Sequence, residues 1–174
     1  MLAGGLKAVI LLNNEPEFDS AAGAKAKTVL GQAQMVVSLS PFKANMDFCD
    51  VILPISPFTE TSGSFVNAEG RLQSFHAVVK PLAETRPAWK VFRVLANMLD
   101  LPGFDFDAST DVLNKLTGQS TALSSFPVEK LGNLTASVID LTESAIQPVS
   151  AAIYQIDGIV RRASSLQMTA DARS

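Results

Sequence analysis

Asp50-Val51-Ile52-Leu53-Pro54 leads through Ile55-Ser56-Pro57 into Phe58-Thr59-Glu60-Thr61-Ser62-Gly63-Ser64-Phe65-Val66-Asn67-Ala68-Glu69-Gly70-Arg71-Leu72-Gln73. A short apolar strand runs into a polar loop and then into a hairpin. Glu60, Asn67, Glu69 and Arg71 fall within a dozen residues, punctuated by Gly63 and Gly70. Polar groups at that density between apolar strands are costly unless they satisfy one another or a ligand. Ser64 to Asn67 and Arg71 to Phe75 read as the two strands. Ala68-Glu69-Gly70 reads as a three-residue loop in which Gly70 takes a positive φ.

Upstream, Lys7-Ala8-Val9-Ile10-Leu11-Leu12 is an apolar run, as expected of a strand buried on both faces of a parallel sheet. Asp19-Ser20 can cap an Ala-rich helix over about 20–30, ended by Gly31. Met35 to Leu39 reads as a second strand, Pro41 as the first turn of a short helix to about Phe48, and Val51-Ile52-Leu53 as a third strand. This alternation predicts an α/β fold: a Rossmann-like parallel three-layer half domain with a β-hairpin insertion and C-terminal helices. Downstream, Pro87 to about Leu99 carries Trp89, Phe92, Leu95, Ala96 and Leu99 at helical spacing. Ser109 or Thr110 can cap a further helix that ends at Gly118. Beyond Gln119 the chain is rich in Ser, Thr and Ala and weakly patterned. The predicted organisation is a core over 1–102, with hairpin 64–75 and helix 87–99, and a helical or irregular extension over 103–174.

Composition narrows the function. With 174 residues, 47% of them apolar, the chain can bury a sizeable core. A net charge of −3 with scattered basic residues argues against nucleic acid. The single Cys49 cannot supply a Cys-ligated iron–sulfur cluster, a zinc site or an internal disulfide. Between Asp47 and Asp50 it reads as a small hydrophobe with a raised thiol pKa. His76 is the only histidine, with no second ligand near it in sequence. No apolar run approaches the ~20 residues of a transmembrane helix. Gly-x-Gly-x-x-Gly and Walker-type loops are both missing, which argues against nicotinamide, flavin or nucleoside triphosphate sites.

Two readings of the hairpin cluster stand side by side. In one, Arg71 is tied to Glu60 or Glu69 and clamps the loop, while Asn67 satisfies loop backbone. In the other, Glu60, Gly63, Asn67, Glu69, Gly70 and Arg71 line a remnant ligand site, since open α/β sheets bind ligands beyond the carboxyl ends of their strands. Arg161-Arg162, flanked by apolar residues, reads as a solvated pair.

The Leu-Pro strand end followed by Glu60, Gly63, Phe65, Asn67, Glu69, Gly70, Arg71 and Gln73 resembles the signature of the molybdopterin-dependent oxidoreductase superfamily. The resemblance is closest to one branch, the large iron–sulfur subunit of bacterial NADH-quinone oxidoreductase (respiratory complex I). It covers Leu6 to about Leu99, with a second patch from Ile153-Tyr154 through Asp157-Gly158-Ile159-Val160-Arg161-Arg162-Ala163 to Leu166-Gln167. In that branch the second patch precedes a C-terminal β-barrel and links two parts of the subunit, which implies an interface role. The resemblance implies an internal piece of a larger subunit whose iron–sulfur clusters lie elsewhere. Cofactor-binding members carry Gly-x-Asn-Pro after the first strand and an Asp after the second. Here these places read Asn13-Asn14-Glu15-Pro16 and Ser38-Leu39-Ser40.

The resemblance therefore implies a cofactor-free structural and interaction domain that supports NADH-to-quinone electron transfer, with no catalytic residue and no metal of its own. Its partners would be the rest of the subunit and other peripheral-arm subunits of complex I, at the cytoplasmic side of the inner membrane without insertion. The alternative is the cofactor-embracing domain of a molybdenum oxidoreductase such as formate dehydrogenase, holding molybdopterin guanine dinucleotide. A piece of a larger subunit is also expected to expose apolar surface near its first strand or after Gln119, and to be less ordered over 119–174.

Overall fold

The computed structural model describes residues 5–118 and 152–172. In chain order the elements are β1 (Ala8–Leu12), α1 (Pro16–Asp19), α2 (Ala24–Leu30), β2 (Met35–Ser40), β3 (Val51–Pro54), β4 (Gly63–Val66), β5 (Leu72–Phe75), α3 (Ala88–Met98), α4 (Ser109–Thr117), α5 (Gly158–Arg161) and α6 (Ser164–Gln167), with 3-10 turns at Phe58–Glu60 and Ile153–Gln155. They form two compact units: Met1–Leu53 with Ile139–Ser174, and Pro54–Val138. The predicted α/β class holds, with a parallel three-stranded sheet and a separate antiparallel hairpin. The weakly patterned stretch after Gln119 lies outside the described residues as far as residue 151.

In the first unit the sheet order is β1-β2-β3, and β1 pairs in parallel with β2 from Ala8↔Met35 to Leu12↔Leu39. Val9, Leu11, Leu30 and Val36 form the core, with Ala33, Phe48 and Cys49 packed against it. The expectation that β1 is buried on both faces is corrected here. Its burial alternates, so that Val9 and Leu11 are covered while Ile10 and Leu12 are about half exposed. Met35 on the same face as Ala8 is also exposed, so an apolar surface lies where one was expected, beside the first strand.

Two helix predictions are also corrected. The 20–30 helix starts only at Ala24, because Gly23 takes φ 54°, and a separate helical turn opened by Pro16 precedes it over Pro16–Asp19. Residues 41–48 form turns rather than a helix. Asn45 there adopts φ 66°, and its side-chain amide donates to the Asn14 carbonyl (2.9 Å) and to Ser38 Oγ (3.1 Å). A residue held in the left-handed region breaks a right-handed helix, and its two hydrogen bonds offset the strain. They also tie the loop after β2 to the turn after β1.

In the second unit β4 and β5 pair antiparallel from Gly63↔Phe75 to Val66↔Leu72. Asn67 N–H donates to the Arg71 carbonyl at 3.1 Å, which leaves the predicted three-residue loop 68–70, and Gly70 sits at φ 77°. Phe65 stacks on Phe75 with ring centroids 4.9 Å apart. Helix α3 buries Ala96 and half-buries Trp89, Phe92 and Leu95, but Leu99 lies just past the helix end and is exposed. Helix α4 ends at Gly118, φ 69°, as expected. Its start is held by Asp111 rather than by Ser109 or Thr110: Oδ2 accepts from the backbone N–H of Asp107 (3.0 Å) and Ala108 (2.8 Å). Among the described residues no helix is long and apolar enough to cross a membrane.

The burial pattern of β1 separates neighbouring residues sharply. Leu11→Ala should lower unfolding free energy by about 2–5 kcal/mol, as buried leucine truncations do, whereas Ile10→Ala should cost less than about 1 kcal/mol. Gly70→Val should cost about 1–3 kcal/mol through backbone strain. Denaturant titration of the three variants checks both statements.

Candidate functional site

The sequence places its candidate residues on the hairpin of the second unit. The structure brings Asn67, Glu69 and Arg71 together, but through backbone. Asn67 Oδ1 accepts from the N–H of Glu69 (3.0 Å) and of Arg71 (2.9 Å), an Asx-type arrangement that closes the loop. The expected Arg71 clamp is corrected: among the described residues Arg71 makes no ion pair, and its side chain is exposed. Glu60 turns elsewhere, with Oε2 accepting from the Leu82 N–H at 2.9 Å. A loop carboxylate that caps a backbone donor has no need of a guanidinium across the hairpin. Gly63 serves packing, since a Cβ there would lie 2.9 Å from the Phe75 ring.

Beside the hairpin lies a cleft of about 420 Å³, lined among others by Ser62, His76, Trp89, Lys90, Asp107 and Ser109. Ser62 and Ser109 share a hydrogen bond of 2.8 Å, and Trp89 Nε1 is buried with no hydrogen-bond partner among the described residues. Among the described residues no group of three or more His, Cys, Asp or Glu side chains could hold a metal ion.

A second locus lies in the first unit, outside the carboxyl ends of β1 and β2. Asn13 turns the chain there at φ 46°, with its N–H on the Leu39 carbonyl at 2.8 Å, and Glu15 N–H donates to Asp19 Oδ2 at 2.7 Å. Residues 152–172 close over this turn. Asp157 Oδ1 accepts from the N–H of Ile159 (2.8 Å) and Val160 (3.0 Å) and so starts α5. Gln167 Nε2 braces the segment from the other side by donating to the Tyr154 (3.0 Å) and Val160 (2.9 Å) carbonyls.

The last residue of α5 and the one after it then bring two guanidiniums to one carboxylate. Arg162 Nη1 donates to Glu15 Oε1 at 2.7 Å, and Arg161 Nη1 lies 2.9 Å from Glu15 Oε2. Arg161 Nη2 also donates to Asp19 Oδ1 at 3.1 Å and to the Gln155 carbonyl at 2.8 Å. The rings of Phe18 and Phe42 lie 4.1 and 4.0 Å from the Arg161 and Arg162 guanidinium carbons. A Cβ on Gly158 would meet Glu15 Oε1 and the Phe42 ring at 3.4 Å, so the missing side chain permits this close approach.

The reading of Arg161-Arg162 as a solvated pair is thereby corrected for Arg161, whose side chain is only 7% exposed. Sequence reasoning registers Glu15 as a charge in a turn and misses its partners. The signal that points there is a pair of arginines among apolar residues in a chain with few cations.

Burial pushes the Glu15 carboxyl up. The hydrogen bond and charge of Arg162, with the charge of the Arg161 guanidinium, outweigh it and hold the group below its ordinary value. Burial first, and then the Asp50 and Asp47 charges, raise the Cys49 thiol against a lowering hydrogen bond from Ser38, which agrees with an inert small hydrophobe.

Against known families, residues 1–98 match the model described as Molybdopterin oxidoreductase. The chain belongs to the molybdopterin oxidoreductase family. A relative named "Putative formate dehydrogenase" from Staphylococcus aureus strain bovine RF122 / ET3-1 is 47% identical over 60 residues, which is 34% of this chain and 6% of the relative. The same name attaches to a protein of strain USA300, 42% identical over the same share of each. The match thus spans a small part of these relatives' length. Among solved structures, Acetylene Hydratase from Pelobacter acetylenicus aligns with TM-score 0.48 and 18% identity over 70% of this chain and 19% of that one. The family match takes in Glu15 and the hairpin, while Arg161 and Arg162 lie outside the matched residues.

Two outcomes follow from the geometry. Asn67→Ala should destabilise the second unit by about 1–2 kcal/mol, since it leaves two loop N–H groups without their acceptor. Arg71→Ala should stay within about 0.5 kcal/mol; thermal melts of the two variants rank them. Because Glu15 is held below its ordinary 4.5, the stability it contributes is complete above about pH 4.5 and is lost as pH falls through the lower folded value. An acid titration of thermal stability should show that loss in the native chain and a shallower one in Glu15→Gln.

Proposed function

We propose that this chain is a cofactor-free structural and interaction domain of the molybdopterin oxidoreductase family, of the kind found in the large iron–sulfur subunit of respiratory NADH:quinone oxidoreductase. In this reading it holds neighbouring parts of the subunit and of the peripheral arm in place, while centres outside this chain carry electrons. The supporting observation is the turn after β1, where a dinucleotide phosphate would need free backbone donors and no opposing charge. Here the Asn13 N–H is committed to Leu39, the Glu15 N–H to Asp19, and a carboxylate with two arginines fills the space. The second supporting feature is the exposed apolar surface of Ile10, Leu12 and Met35, which suits a domain that docks on neighbours.

The rival reading is the cofactor-embracing domain of a molybdenum oxidoreductase. It draws on the relatives named for formate dehydrogenase. A second locus is available to it, the cleft with His76, Trp89 and Lys90.

Calorimetric titration of the native chain with molybdopterin guanine dinucleotide, and with GMP as a proxy for its nucleotide half, separates the two. The structural reading expects no saturable heat with either. Saturable binding weakened by substitution at Asn14 would favour the enzyme-domain reading instead.

A further inference from the structure

The Glu15–Arg161–Arg162 cluster has an imperfect fit at its centre. Arg161 Nη1 lies 2.9 Å from Glu15 Oε2, yet it is buried and makes no aligned hydrogen bond. The other donors of that guanidinium are satisfied: Nε donates to the Gln155 carbonyl at 3.0 Å, and Nη2 to the same carbonyl and to Asp19. Arg162 Nη1 is divided between Glu15 Oε1 and the Gly158 carbonyl at 2.9 Å. Here the Glu15 carboxylate accepts an aligned hydrogen bond from Arg162 at 2.7 Å and meets Arg161 Nη1 through charge alone. A tetrahedral oxyanion presents more oxygens in more directions, and guanidinium forks suit it.

The location is also where open α/β sheets take ligands, beyond the carboxyl ends of adjacent parallel strands. Both arginines are held in advance. Arg161 is fixed by the Gln155 carbonyl and the Phe18 ring, and Arg162 by the Gly158 carbonyl and the Phe42 ring. Glu15 and Asp19 are acidic groups paired with them.

We infer that Arg161 and Arg162 form an oxyanion site at the ends of β1 and β2 which the chain fills with its own Glu15 carboxylate, and that a phosphate group is the ligand class this site takes once Glu15 is removed. Glu15 is then a specificity residue: it acts as an internal ligand that keeps free phosphate out. The inference rests on the cofactor-free reading and gives it a cause.

The test uses the full chain and inorganic pyrophosphate, followed by thermal shift with a matched sodium chloride control. The native chain should show no pyrophosphate-specific stabilisation. Glu15→Gln should melt lower and be stabilised saturably by pyrophosphate, with an affinity at least tenfold above any residual native response. In the double variant Glu15→Gln with Arg162→Ala that stabilisation should vanish. If Glu15→Gln does not fold alone, refolding with and without pyrophosphate replaces the melt, and recovery only with the anion is the expected result. Glu15→Gln indifferent to pyrophosphate in melt and refolding alike, or equal stabilisation in the double variant, overturns the inference. So does specific pyrophosphate binding by the native chain. The cofactor-free reading stands or falls separately, on the native chain with the guanine dinucleotide.

Discussion

One carboxylate organises the first unit. Glu15 and its arginine partners are 146 and 147 positions apart in the chain, and their contact joins residues 152–172 to the first turn of the sheet. Taking the Glu15 and Arg161 charges out of water is expensive, and their mutual attraction offsets this only when geometry is good and the remaining donors are satisfied. Most are, through Gln155, Gly158 and Asp19. Deleting Glu15 would leave the buried Arg161 short of one carboxylate, and breaking comparable buried pairs costs about 3–5 kcal/mol. Other features of that end of the sheet sit around this contact: the left-handed Asn13, the Asn45 bridge to Asn14, and the glycine at 158 that lets the helix come close.

The same contact bears on how the turn after β1 is held. A short turn between strand and helix has few backbone donors, and here the Asn13 and Glu15 N–H groups are already hydrogen-bonded within the chain. Its one strong charge is countered from a segment outside the family-matched residues. The turn can therefore hold its shape without a bound group to order it. The hairpin is braced in a similar way: Asn67 and Glu60 each satisfy nearby main-chain N–H groups.

Local chemistry is legible in the sequence and distant pairing is not. The strands, helix α3, the hairpin loop and the positive φ of Gly70 all follow from periodicity and turn chemistry within a few residues. Asn67 is legible for the same reason, because an Asx loop is written in adjacent positions. The partner of Arg71 is not, since a carboxylate near in sequence is no guide to where an exposed, long side chain points. Residues 41–48 read as helix because Pro41 signals a start, while the stop lies in the long-range hydrogen bonds of Asn45. The half-bare β1 shows that an apolar run reports what a strand is suited to, not what covers it.

The chain has one tryptophan and one tyrosine, and they fall in different units. Trp89 in the second unit has its indole nitrogen shielded from water, whereas Tyr154 in the first lies in the segment that carries the arginines. Each unit thus holds its own optical reporter. Indole emission, blue while Nε1 is sheltered and shifting red as water reaches it, follows the hairpin and α3 unit alone. Phenol absorbance follows the ion-paired end of the sheet. Coincident transitions at the two signals would mark one cooperative body, and separated transitions two that melt independently.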